Sequence, residues 1–144
     1  MKTTKVTKIY AADTSTRSAH PLVVSSVSAG FPSPADDYIE GRLDLNQHLI
    51  RHPAATFFVR VDGDSMIDAG IHPGDILIVD RALEPKDRNV VIANINGELT
   101  VKRIRIKYKK ILLMPENENY PPLPIPADMD FQVWGVVTYV IHEP

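Results

Sequence analysis

Ser65 stands in Gly63-Asp64-Ser65-Met66, directly after the apolar run Phe57-Phe58-Val59-Arg60-Val61. A serine hydroxyl attacks a carbonyl only when a neighbouring group takes its proton, so a nucleophile here needs a base from elsewhere in the chain. Gly63 permits a sharp bend and a close approach of the backbone to a substrate, and a Ser exposed on that turn is better placed to react than one in a strand. Asp-Gly-Asp-Ser is also ordinary turn chemistry, so these residues alone carry little weight.

The candidate bases are His20, His48, His52, His72, His142 and the lysines, and Lys102 is the strongest. Asn96-Gly97 is a hairpin signal between the strand-like runs 89–95 and 98–106, which puts Lys102 in mid-strand. Alternation places Thr100, Lys102, Ile104 and Ile106 on one face and leaves Arg103, Arg105 and Lys107 on the other, in water. Beside two isoleucines the charged form of Lys102 is disfavoured by desolvation, as a base requires. At an ordinary pKa of about 10.4 only about one lysine in 2,500 is neutral at pH 7, so a working base must shift down by about three units, about 4 kcal/mol. The strand pattern alone favours a lysine that snorkels to the edge.

Gly63-Asp64-Ser65-Met66, Pro73-Gly74-Asp75 and Glu98-Leu99-Thr100-Val101-Lys102, in that order, resemble the LexA/UmuD family of self-cleaving Ser-Lys proteins. The similarity covers about residues 27 to 141. It is closest to the UmuD branch, because 30–40 and 43–47 look like the segment that follows the cleavage site there. The resemblance implies Ser65 as nucleophile, Lys102 as general base and Ala29-Gly30 as the scissile bond. Ala29 stands where the UmuD branch has Cys, but LexA-type sites use Ala-Gly. The resemblance also implies a homodimer, activation by a RecA filament on single-stranded DNA, and association of the trimmed form with a Y-family (UmuC-like) polymerase subunit in mutagenic lesion bypass.

The elements that must position these residues are mostly strands. Runs at 75–80, 110–114 and 131–141 join the hairpin as β-structure, and five of the twelve prolines fall within 115–126, which reads as a loop. Ser33, Pro34, Asp36 and Asp37 predict a helix near 34–41, and Asp44 with Gln47 predicts another near 45–51, with Tyr38, Ile39, Leu45, Leu49 and Ile50 on the buried side. His48 and His52 share the i,i+4 spacing of a metal pair, but no HExxH glutamate accompanies them and Pro53 ends the helix, so they are expected to face solvent. Residues 1–29 hold only scattered apolar side chains, and Lys2, Lys5, Lys8 and Arg17 against Asp13 give a formal charge of +3, as expected of a flexible, solvated arm. Small residues at Val27-Ser28-Ala29-Gly30 would let an extended backbone enter a cleft by adding to a sheet edge.

With 144 residues and 44% hydrophobic content, the expected fold is mainly β. It is a single LexA/UmuD-like catalytic domain of twisted antiparallel strands over 30–144, with short N-terminal helices and a flexible arm over 1–29. The absence of cysteine removes thiol nucleophiles, thiolate metal sites and disulfides together. No membrane span, signal-peptide core, phosphate loop or dinucleotide fingerprint is present, so the expected protein is cytoplasmic, with no cofactor and no metal. A net charge of −2 gives no general attraction to nucleic acid, so no direct sequence-specific DNA binding is expected. Two rival classes are a LexA-like repressor, for which 29 residues before the cut are too few to hold a winged DNA-binding domain, and a non-enzymatic polymerase accessory module with an idle dyad. A signal peptidase also uses Ser and Lys but needs a membrane anchor. On this reading the arm contributes little to stability, within about 1–2 kcal/mol.

Overall fold

The structure is a computed structural model that describes residues 2–17, 19–23 and 39–144. It divides into two compact units, Met1–Ala12 with His52–Pro144, and Asp13–Arg51. The boundary expected at Ala29-Gly30 and the cap expected at residues 33–37 lie outside the described residues.

The larger unit is built on β1 (Lys5–Ala11), β4 (Thr56–Asp62), β5 (Ile76–Asp80), β6 (Val90–Ile95), β7 (Glu98–Lys107), β8 (Lys110–Met114), β9 (Leu123–Ile125) and β10 (Phe131–Ile141). All pairings are antiparallel. The strand order is β1-β4-β5-β10-β6-β7-β8-β9, and β1 also pairs with β7 through Lys5 and Thr100. That contact closes six strands into a ring, with β8 and β9 continuing outward from β7. Closure gives the outer edge of β1 a partner at β7, while β9 remains the end of the sheet. One edge of β7 pairs with β6, whereas the other carries β8 from Arg103 onward and residues 4 and 5 at Val101 and Thr100.

The hairpin at Asn96-Gly97 forms as expected. Both residues take left-handed backbone, φ 51° and 85°, which sets a two-residue turn and the register from Val90 opposite Arg103 to Ile95 opposite Glu98. Two apolar clusters follow from the alternation. Val59, Val61, Leu77, Val79, Ile92 and Val101 gather with Met66 and Ile71, while Val91, Ala93, Ile104, Leu113 and Val136 form the second. β10 crosses between β5 and β6 with a bulge at Gly135, where an added Cβ would meet Val79 Cγ1 at 2.5 Å.

The smaller unit pairs β2 (Ala19–Val23) with β3 (Ile39–Asp44), the two strands on either side of the segment that holds Ala29-Gly30. Residues 39–41 are therefore strand, not the end of a helix, consistent with β-branched Ile39 and with Gly41, both poor helix formers. The one α-helix among the described residues is α1 (Leu45–Leu49), shorter than expected. Its cap is the expected one, Asp44 accepting from the Asn46 N–H at 3.0 Å. Leu45, expected to be buried, is 46% exposed. No helix among the described residues is long and apolar enough to cross a membrane.

Two segments depart from the reading of the sequence. The 115–126 loop contains β9, whose Pro124 lies opposite Leu112; a strand at the end of the sheet order tolerates a residue that cannot donate. Residues 5–11, expected as part of a flexible arm, form β1. Its side chains are almost all exposed, so no alternation marks it, and it is held by a backbone ladder to β4 from Lys5 opposite Asp62 to Ala11 opposite Phe57. Loss of β1 opens the ring and removes Val6, uncovering the first cluster on which it packs. A chain beginning at Gly30 should therefore unfold in urea with a loss of about 2–4 kcal/mol, several ladder bonds at about 0.5–1.5 kcal/mol each. Equal stability of the two chains would show that β1 adds nothing.

Candidate active site

Ser65 follows β4 on a turn set by Gly63, whose φ of +96° is left-handed. Tyr120 donates its hydroxyl to the Asp64 carboxylate, and Asn117 Nδ2 donates to the Asp64 carbonyl at 3.0 Å. The Glu116 N–H donates to the Ser65 carbonyl at 2.8 Å, and its carbonyl accepts from the Asp68 N–H at 2.8 Å. Burial, then the bond to Asp64, raises the Tyr120 pKa to about 12, so it stays a donor at neutral pH. The supposedly plain loop at 115–126 thus braces the turn, a long-range role with no local sequence signal.

Ser65 is fully buried, not exposed on its turn. What covers it is the N-terminus of the chain. The Thr4 N–H donates to Ser65 Oγ at 2.8 Å, and the Thr4 carbonyl accepts from the Val101 N–H at 3.0 Å. The Lys2 carbonyl accepts from the Asp64 N–H at 3.0 Å. A Cβ at residue 63 would collide with the Thr3 carbonyl, so the glycine is required for this close approach as well as for its φ. Thr4 Oγ1 and Thr100 Oγ1 are buried beside this crossing without a hydrogen-bond partner. Sequence reasoning missed Thr4 because nothing in the arm's composition ties it to a residue sixty positions away.

Thr4 also relates the two expected catalytic residues. One residue bonds Ser65 through its N–H and Val101 through its carbonyl, and the residue after Val101 is Lys102. Val101 enters the first cluster, so Lys102 shares the opposite face of β7 with Thr100 and with Ile104 of the second cluster. The alternation read from the sequence holds, but the lysine is 7% exposed and does not snorkel into water. Burial alone holds its pKa below the ordinary 10.5. No carboxylate among the described residues lies in ion-pairing range of it. Arg103 and Arg105, on the other face, are partly exposed and pair with Glu116 and Asp87.

His52, His72 and His142 are engaged with carboxylates away from Lys102. His52 lies beyond α1 and meets the buried Asp80 at 2.6 Å, so it is not simply solvent-facing. His142 Nδ1 meets Asp75 Oδ1 at 2.7 Å, and the His72 N–H donates to Asp75 Oδ2 at 2.8 Å. Donor atoms of His72, Asp75 and His142 lie within 4.8 Å of one another, the one such group among the described residues. Its contacts tie the start of β5 to the end of β10 around a buried carboxylate. Ala29 and Gly30, the expected scissile pair, are outside the described residues.

Comparison with known proteins agrees with the motifs. Residues 21–138 match the model of the family described as Peptidase S24-like. The chain is 50% identical to Protein SamA of Salmonella typhimurium over 127 residues, 88% of each chain. It is 44% identical to Protein MucA of Escherichia coli over 124 residues, 85% of this chain and 84% of the relative. It is 37% identical to the LexA repressor of Idiomarina loihiensis over 121 residues, 83% of this chain and 58% of that one. With a family match across most of its length and relatives of this identity, the chain belongs to the Peptidase S24-like family.

Proposed function

We propose that the chain cuts itself once, between Ala29 and Gly30, with Ser65 as nucleophile and Lys102 as general base. The observation that supports this best is the lysine. A buried ammonium with no counter-ion costs stability, so a lysine held this way suits proton transfer better than packing. Neutral Lys102 takes the Ser65 proton as Oγ attacks the Ala29 carbonyl, and backbone N–H groups of the Asp64-Ser65 turn receive the oxyanion. The Gly30 amine leaves with the proton from Lys102, and water then releases Ala29 from the serine. Tethering the substrate to the enzyme supplies the effective concentration.

The wider role rests on the resemblance to the LexA/UmuD family. In this proposal the protein is cytoplasmic and homodimeric, a RecA filament on single-stranded DNA promotes cutting after DNA damage, and the trimmed form serves a Y-family, UmuC-like polymerase subunit in lesion bypass. A repressor role is less favoured, because identity is 37% to the LexA relative against 50% to Protein SamA.

Mass spectrometry after alkaline incubation should find one cut, giving a product that starts Gly30-Phe31. Ser65→Ala and Lys102→Ala should each abolish it, and Lys102→Arg should fail too, because a guanidinium does not deprotonate. Parent-rate cutting by any of the three refutes the dyad.

The depressed pKa of Lys102 fixes two signs. Below it the rate should climb about tenfold per pH unit and then level off, so a flat profile from pH 7 to 10 excludes Lys102 as the base. Between the depressed value and 10.5 the unfolded chain holds the proton more tightly, so stability rises with pH there. Lys102→Met should thus raise Tm at pH 7 by about 3–6 °C, with a gain that shrinks toward pH 10.5. A lower Tm at pH 7 would show that the lysine is stabilising where it lies.

A further inference from the structure

We propose that the Ser65 cleft is a binding site for an extended strand and that residues 2–5 of this chain fill it in a form that cannot be cut, so that they compete with the Ala29-Gly30 segment. This rests on the reading of Ser65 as the nucleophile. The site has a built edge, with contacts along it at successive residues. The Lys2 carbonyl accepts from the Asp64 N–H, Thr4 donates its N–H to Ser65 Oγ and accepts from the Val101 N–H, and Lys5 pairs with Thr100. Ion pairs flank it, Lys2 with Asp62 at 3.7 Å and Lys5 with Glu98. Adding a strand to an exposed edge is a general way to bind a peptide, with affinity from the main chain.

The register explains why the occupant is not a substrate. In acyl transfer the carbonyl whose carbon meets the nucleophile must be the one whose oxygen meets the oxyanion donors. Here the carbonyl on the Asp64 N–H is that of Lys2, whereas the group on Ser65 Oγ is the N–H of Thr4. No single carbonyl is offered to both. An amide N–H that donates to Oγ also points its plane at the hydroxyl, whereas attack requires the face of a carbonyl. The nucleophile and one expected oxyanion donor are therefore both engaged, and Ser65 has no exposed surface. Cutting at Ala29 requires residues 2–5 to leave this edge, so the rate follows the fraction of molecules in which they have left.

The chain contains no cysteine, so Ser65→Cys introduces a single thiol whose reaction with a small thiol reagent reports access to the cleft without any catalysis. The full chain, a chain lacking residues 2–5, and the full chain with Lys2→Glu and Lys5→Glu are compared, each with and without Ser65→Cys and with Ser65→Ala as the blank. The deletion should raise both thiol labelling and cutting by about fivefold or more, and the charge reversals by about two- to threefold. A synthetic peptide of residues 1–8 should return the deletion chain to the parent rate. Parent-like labelling in a folded deletion chain, or no effect of the peptide, overturns the proposal. If the deletion chain does not fold, the charge-reversed chain decides, and parent-like labelling there overturns it. If labelling changes as expected but no variant cuts in a Ser65-dependent way, the occupied cleft stands and the self-cleavage reading fails.

Discussion

One residue, Thr4, connects closure of the sheet with the covering of Ser65. Its carbonyl satisfies the Val101 N–H on the edge of β7 that β8 leaves open, and its N–H satisfies Ser65 Oγ. Buried backbone groups need partners, and here the partners are a strand edge and the Ser65 hydroxyl. The strand that closes the ring is therefore also the strand that covers the site. Stability of the intact chain and access to Ser65 are opposed through this contact.

Lys102 carries a second opposition. Its burial on β7 without a carboxylate to pair with costs the fold something at neutral pH, and the same burial moves the amine toward the neutral form that a base needs. The face it occupies is fixed by the hairpin, because a slip of one residue at Asn96-Gly97 would move Lys102 to the face of Val101 and the first cluster. Turn chemistry at two residues thus sets the environment of a third, and the 116–120 segment plays the corresponding part for Ser65.

Those parts of the fold were legible where local chemistry dictates them. Asn96-Gly97, the apolar runs of β5, β8 and β10, the cap at Asp44 and the face of Lys102 all follow from nearest neighbours and alternation. What was not legible depends on distant partners. β1 is an exposed strand with no alternating pattern and exists through its ladder to β4, and β9 keeps a proline because it ends the sheet. The helix expected to run to residue 41 gave way to pairing with β2. Tyr120 and Asn117 look like loop residues until Asp64 is placed beside them.

The most direct test of the account is the exchange rate of the Thr4 amide proton, followed by NMR in the uncut chain at neutral pH. A proton bonded to Ser65 Oγ in a closed ring should exchange about as slowly as that of Val101, and Ser65→Ala, which removes the acceptor, should speed Thr4 exchange while core strands such as β5 stay protected. Exchange of Thr4 at the rate of an unfolded peptide in the parent chain would contradict the account, because neither the ring nor the covered serine would then exist in solution.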